Sequence, residues 1–200
     1  LSSSDAINWS LLSSGVTDEL SSLEIYGIWE GTKLLGTSTE EYGYGITVDS
    51  LDNIYTTGYS RAGLDGNSHS GSDDLVLVKY NSSGNKQWTK QMGTGLTDQG
   101  IGVITDSSGN IYVSGYNNVG YSASSSAFDG NQSFGSADMI LVKFNSSGIK
   151  QWSKQLGSTQ SDYGDQVAVD SSNNIYVTGY TSGNFDGHSA IGNSDIFLVK

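Results

Sequence analysis

One eleven-residue phrase occurs three times in this chain, and any fold proposed for it has to explain that recurrence. Asp49-Ser-Leu-Asp-Asn-Ile-Tyr-Thr-Thr-Gly-Tyr59 returns as Asp106-Ser-Ser-Gly-Asn-Ile-Tyr-Val-Ser-Gly-Tyr116 and again as Asp170-Ser-Ser-Asn-Asn-Ile-Tyr-Val-Thr-Gly-Tyr180, at spacings of 57 and 64 residues. Periods of this size belong to architectures in which one small unit buries its apolar surface against copies of itself.

Each unit reads as four strands. The first covers Ile46 to Asp49, Gly102 to Asp106 and Gln166 to Asp170. It follows a fixed five-residue step from Gly36, Gly93 or Gly157 to an acid, Glu41, Asp98 or Asp162. The turn position before Asn53, Asn110 and Asn174 holds Asp52, Gly109 and Asn173, residue types that tolerate the positive φ of a tight hairpin. The second strand is Asn-Ile-Tyr-x-x-Gly-Tyr. The third is the near-continuous apolar run Leu75 to Tyr80, Met139 to Phe144 and Ile196 to Lys200, a pattern of burial on both faces. Asn81-Ser-Ser-Gly84 and Asn145-Ser-Ser-Gly148 then lead into a fourth strand carrying Trp88 or Trp152.

A sheet that is apolar on both sides must be sandwiched between copies of itself, and a β-propeller does this. Seven of the nine basic residues (Lys79, Lys86, Lys90, Lys143, Lys150, Lys154 and Lys200) fall at repeating places in the third and fourth strands, where lysine on an outer edge blocks edge-to-edge association. The expected fold is therefore all-β: a propeller-type repeat of four-stranded antiparallel blades. About three full repeats, near 43–92, 99–156 and 164–200 within 29–200, follow a degenerate N-terminal segment over 1–28. The pattern Val-Asp-Ser-Ser-Gly-Asn-Ile-Tyr-Val-x-Gly-Tyr, then Phe-Asp-Gly, then Asp-x-x-Leu-Val-Lys-Phe-Asn-x-x-Gly and a Trp, resembles the SBBP repeat family of bacterial seven-bladed β-propellers. The resemblance covers roughly residues 29 to 200. It implies a secreted or cell-surface bacterial propeller, usually part of a larger protein and usually without known enzymatic activity. The chain has too few copies for seven blades.

Composition narrows the partners. Nine basic against 21 acidic residues give a net charge of −12, which opposes nucleic acid and anionic membrane surfaces and favours cations. No apolar run is long enough to span a bilayer, and the start of the sequence lacks the features of a signal peptide. A chain beginning at Leu1 reads as processed or excised. Without cysteine, redox chemistry says nothing about the compartment. The acidic, Gly/Ser/Asn-rich composition suits an exported protein, and extracellular or cell-surface localisation is the expectation.

Two places carry the functional expectations. The sequence stops at Lys200 after a third strand, and Ala6 to Leu12, with Trp9 standing where Trp88 and Trp152 stand, is the candidate for the missing fourth. It would pair within the chain, or with the next copy in a ring or filament, unless the chain is simply cut there. The second place is the loop from second to third strand. Its length varies, yet the second aspartate always stands nine positions after the first: Asp65 and Asp74, Asp129 and Asp138, Asp186 and Asp195. Either the apolar residue before Asp-Gly plugs the blade and the aspartates cap turns, or these six carboxylates bind Ca²⁺. The spacing matches no EF-hand, which favours the structural reading. Glu41, Asp98 and Asp162 should approach the same face. His69 and His188 read as solvated loop residues, and Tyr112 and Tyr116 as blade packing. The expected function is a non-catalytic structural or interaction module whose partners are copies of itself or further repeats. The alternative is a carbohydrate-binding or carbohydrate-cleaving propeller with a glycan ligand.

Overall fold

A computed structural model describes residues 31–118 and 127–200; the segment 1–28, with Trp9 and the strand expected around it, lies outside the described residues. The remainder forms three antiparallel sheets. The first contains β1 (Glu41–Val48), β2 (Ile54–Ser60), β3 (Asp74–Tyr80) and β4 (Lys86–Met92) in sequential order. The second repeats it with β5 (Thr97–Thr105), β6 (Ile111–Asn118), β7 (Ala137–Phe144) and β8 (Lys150–Leu156). The third has β9 (Asp162–Val169), β10 (Ile175–Thr181) and β11 (Asp195–Val199), and β11 stands at its edge among the described residues. These sheets are called blades 1, 2 and 3.

The first strand of each blade starts earlier than the sequence implies, at or just before the acid. The reason is a bulge. The pairing of β1 with β2 slips between Gly43 and Gly45, that of β5 with β6 between Gly100 and Gly102, and β9 slips likewise against β10 at Gly179. The extra residue lets the strand bend and continue past its glycines. Opposite each bulge stands the glycine of the repeated phrase. At Gly115 a Cβ would collide with the carbonyl oxygen of Gln99, so the phrase requires glycine there.

The hairpin turn between first and second strands has the expected geometry, with positive φ at Asp52 (60°), Gly109 (76°) and Asn173 (60°). The aspartate that opens the phrase holds this turn together. Asp106 accepts hydrogen bonds from Ser108 N (2.9 Å), Asn110 N (2.9 Å), Asn110 Nδ2 (2.8 Å) and Tyr112 Oη (3.0 Å). Asp49 and Asp170 repeat the arrangement on Tyr55 and Tyr176. Burial by itself pushes the Asp106 pKa up, but these four bonds outweigh it and hold the carboxyl below its ordinary range.

Blades stack through their broad faces. Tyr55, Leu75 and Leu77 of blade 1 meet Val103, Ile111, Val113, Ile140, Val142 and Phe144 of blade 2 in one cluster, with Trp88 and Met92 packed against it. Tyr112, Met139 and Leu141 of blade 2 meet Val167, Val177 and Phe197 of blade 3 in a second. Alternation along β7 explains its unbroken apolar run: Ile140, Val142 and Phe144 face blade 1, and Met139 and Leu141 face blade 3.

Replacing Asp106 by alanine removes a charged acceptor from four donors, two of them main-chain. The expected loss is about 2 kcal/mol in urea unfolding, with Tyr112→Phe costing less because it removes only one of those bonds.

Candidate functional site

The loops between second and third strands, together with the starts of the first strands, form a carboxylate-rich rim along one end of the blades. The apolar residue of each loop is a buried plug: Leu64, Phe128 and Phe185 are all inside. In blade 1 a short 3-10 turn covers Leu64–Gly66, in blade 2 another covers Phe128–Gly130, and in blade 3 a tight turn joins Phe185 to His188. The aspartate after the plug takes a positive φ itself, 53° at Asp65 and 54° at Asp129. Its carboxylate caps no backbone N–H. Asp65 pairs with Lys86 and accepts the Thr89 hydroxyl, and Asp129 pairs with Lys150 and accepts Ser153 Oγ (2.6 Å).

The second aspartate of each pair does cap the loop. Asp74 accepts Ser70 N (3.0 Å) and Gln91 Nε2 (2.9 Å); Asp138 accepts Phe134 N (2.8 Å), Gly135 N (3.1 Å) and Gln155 Nε2 (2.7 Å). Asp195 accepts Ile191 N (2.8 Å) and Gly192 N (3.2 Å). The same glutamines bind the plug turns, Gln91 Oε1 accepting Leu64 N (2.9 Å) and Gln155 Oε1 accepting Phe128 N (3.0 Å). One fourth-strand side chain thus ties both ends of the fixed-spacing loop.

The structure brings Asp74 together with the acid of the next blade. Asp74 and Asp98 are both buried, and both lean over Gly93, where a Cβ would collide with the Asp74 carboxylate and lie 3.1 Å from Asp98 Oδ2. This accounts for the fixed glycine-to-acid step: glycine leaves room for two carboxylates. Asp98 accepts Thr94 N (2.6 Å), Thr94 Oγ1 (2.9 Å) and Asn117 Nδ2 (2.6 Å), while Asp74 Oδ1 has no partner. Burial, opposed by those bonds and helped by the Asp74 charge, pushes the Asp98 carboxyl up to about 6. Asp138 stands over Gly157 in the same way, and Asp162 accepts Ser158 Oγ (2.9 Å). Glu41, at the start of β1, accepts Thr37 N (2.9 Å), Thr37 Oγ1 (2.6 Å) and Ser60 Oγ (3.0 Å).

A further link crosses the first interface: Asp73 receives Arg61 Nε (2.8 Å) on one oxygen and Gln99 Nε2 (2.6 Å) on the other. The histidines are not brought together. His69 lies beside Asp74 with Nε2 buried and unpartnered, whereas His188 is exposed in the Phe185 turn. Tyr112 is buried and tilted against Trp152, and Tyr116 meets Tyr163 edge-on at 4.7 Å, so both pack blades. Among the described residues no group of three or more His, Asp or Glu side chains is placed to hold a metal ion.

Comparison with known proteins agrees with this architecture. The β-propeller repeat pattern called SBBP matches at residues 30–65, 87–121 and 151–186, more than half of the chain. The chain belongs to the SBBP β-propeller repeat family. It is also similar to an uncharacterized WD repeat-containing protein, L264, of Acanthamoeba polyphaga mimivirus, at 24% identity over 187 residues covering 74% of this chain. The regulatory protein FlaEY of Caulobacter vibrioides is 22% identical over 142 residues, covering 70% of the chain. The SBBP chain spans only 13% and 15% of the lengths of these two relatives.

Asp98 generates a pH dependence of defined sign. Its folded-state value near 6 lies above its ordinary 3.8, so the folded protein holds this proton more tightly than the unfolded chain. Stability from this group is full below about pH 4 and falls as pH rises to about 6, by on the order of 2 kcal/mol. Urea titrations of wild type and Asp98→Asn should differ by a term that changes over that window and is flat above it. Calcium is tested separately. Because lysine, glutamine and main-chain donors already meet five of these six aspartates and Asp186 stands exposed by itself, EDTA is expected to leave the melting temperature unchanged; a drop restored by added Ca²⁺ would reinstate the cation.

Proposed function

We propose that this SBBP chain is a non-catalytic structural and interaction module, working outside the cell or on a bacterial surface, that binds protein partners through the broad faces and open edge of its blades. The observation that carries this reading is the contrast between inner and outer blades. Leu75 and Leu77 are fully buried against blade 2, while their counterparts Ile196 and Leu198 on blade 3 are 88% and 72% exposed. Apolar ground of this kind is covered in the whole protein by a further repeat or by a partner. The WD-repeat description of the mimiviral relative fits a repeat scaffold for protein contacts.

The edge supports strand complementation. Beside β11, a 510 Å³ groove is lined by Met139, Leu141, Leu156, Ile175, Val177 and Val199. In blades 1 and 2 the corresponding edge is occupied by β4 and β8. We assign the groove to a fourth strand, and Ala6 to Leu12 with Trp9 is the segment of this sequence that matches it. The glycan alternative has its own supporting feature, since Tyr42 and Tyr44 present half-exposed stacked rings beside Tyr59.

The chain has no cysteine, so Ser10→Cys combined with Val199→Cys, the pair that stands opposite in the register of the other blades (Val78 with Thr89, Val142 with Ser153), reports strand placement directly. Oxidation is expected to give a disulfide within one chain or a ladder of linked chains on a non-reducing gel. No cross-link in either form would overturn strand complementation. Binding on a glycan array abolished by Tyr44→Ala, or release of reducing ends from a polysaccharide, would replace the non-catalytic reading with the glycan one.

A further inference from the structure

The junction between blades 1 and 2 is built from strands and loops that are all described, and main-chain bonds hold its rim end shut. There the last part of the blade 1 loop lies flat on blade 2. Gly71 has a φ of 89°, and a Cβ on it would collide with the backbone of Gly95 and Leu96. Ser72 N (2.9 Å) and Asp73 N (3.3 Å) donate to the Leu96 carbonyl, and Asp98 N donates back to the Asp73 carbonyl (2.8 Å). These bonds form a seam, and the Asp74 and Asp98 carboxylates stand beside it over Gly93.

The two acids are 1% and 0% exposed, and neither is bonded to a lysine or arginine. Asp98 engages both oxygens, Oδ2 with Thr94 and Oδ1 with Asn117. Asp74 engages only Oδ2, with Ser70 N and Gln91, and its Oδ1 is buried without a partner. In blade 2 the equivalent Asp138 gives both oxygens to donors, one of them Ser133, which stands where blade 1 has His69. The groups facing the pair are His69 and Ser70 from the loop, Gln91 from β4, Thr94 from the following turn, Asn117 from β6, and Asp73, which Arg61 and Gln99 already meet. Of these, His69 and Asp73 are titratable. We propose that the seam is a pH-sensitive latch: a proton held by the Asp74 and Asp98 pair clamps the end of the blade 1 loop onto blade 2, and loss of that proton lets the loop lift while the blades stay stacked. Two desolvated carboxylates side by side repel when both are charged, and one proton removes the repulsion. Burial, with the Asp74 charge adding to it, lifts Asp98 to about 6, and burial raises Asp74 as well. The closed latch therefore binds the proton more tightly than a lifted one that water reaches, so closure is strongest below about pH 4 and weakens as pH rises to about 6. Stacking outlasts it because Leu75, Leu77, Val113 and Ile140 meet in the apolar cluster rather than at the seam. This inference is independent of which partner the module binds.

Hydrogen exchange of the full chain, followed by mass spectrometry and corrected for intrinsic rates, tests it. Protection of peptides covering 70–74 and 95–99 is expected to fall by on the order of 100-fold as pH rises from about 4 to about 6 and to level off above that. Because lifting is local, this protection should lie well below that of the strands around Val113 and Val142 and should not respond to low urea, whereas theirs does. Asp98→Asn should abolish the pH dependence. Asp74→Asn, which places an amide where the unpartnered oxygen stands, should shrink the fall and raise protection at pH 7. His69→Ala should leave the fall in place, which separates the acid pair from the imidazole. If Asp98→Asn misfolds, Asp74→Asn and His69→Ala decide the matter against wild type. The latch is overturned by wild-type protection that is flat with pH, by a fall that either aspartate variant keeps in full, or by one that His69→Ala removes. Seam peptides that share the protection and urea response of the blade strands overturn it too, since the junction then opens only when the whole protein unfolds.

Discussion

The structure depends on one constraint: each small sheet is apolar on both sides, so no blade is stable until another lies against it. A fully buried Leu, Val or Phe contributes about 1.5–3 kcal/mol, against about 1 kcal/mol net for a hydrogen bond. The cluster between blades 1 and 2 holds ten buried hydrophobic residues, nine from the two sheets and Phe128 from the loop. Face-to-face stacking therefore dominates the energetics, and the polar networks at the blade ends serve mainly to align it. The Asp106 hub fixes the hairpin turn at one end. At the other, the backbone of Asp98 donates to the carbonyl of Asp73 (2.8 Å) and sets the spacing between neighbouring blades.

Alignment by buried carboxylates has a cost that packing alone would avoid. Asp74 and Asp98 are desolvated together, with one oxygen unpartnered and no basic side chain bonded to either. Yet a carboxylate met by Thr94 N, Thr94 Oγ1 and Asn117 Nδ2 accepts one geometry, whereas an apolar contact tolerates sliding. Sheets that can slip by two residues and keep the same apolar face need such a constraint. Removing the Cβ at Gly93 is what lets both acids reach the junction without forcing the strands apart.

The strands, their antiparallel order and the φ of the hairpin turns were legible because each is written in local residue types repeated three times. What stayed hidden depends on residues distant in sequence. The bulge at Gly43 and Gly45 reads in sequence only as a crowded stretch, because a slip in pairing is a property of two strands. Asp65 looks like a turn cap or a calcium ligand until β4 brings Lys86, 21 residues on, against it. Lys86 and Lys150 read as edge protection, yet both also neutralise the Asp-Gly turn. The nine-residue step from Asp65 to Asp74 suggested that those two act together, whereas the step that places carboxylates side by side runs from Asp74 to Asp98 across a blade junction.

Blade 3 separates what the fourth strand contributes from what the loop does alone. Its plug is buried and stacks on Phe197 at 4.6 Å, so the loop folds onto the blade without help. Its aspartates are another matter. Asp186 is exposed and lacks the lysine and hydroxyl that meet Asp65 and Asp129, and Asp195 keeps only main-chain donors where Asp74 and Asp138 also hold a glutamine. Lysine, hydroxyl and glutamine all reside on one strand in blades 1 and 2. Ala6 to Leu12 has Ser10 at the hydroxyl position but Ile7 and Leu12 where the lysine and glutamine stand, so laid on β11 it would cover the apolar groove and offer Asp186 a hydroxyl, whereas neutralising Asp186 and binding Asp195 takes a strand of the form Lys-Gln-Trp-Ser-Lys-Gln.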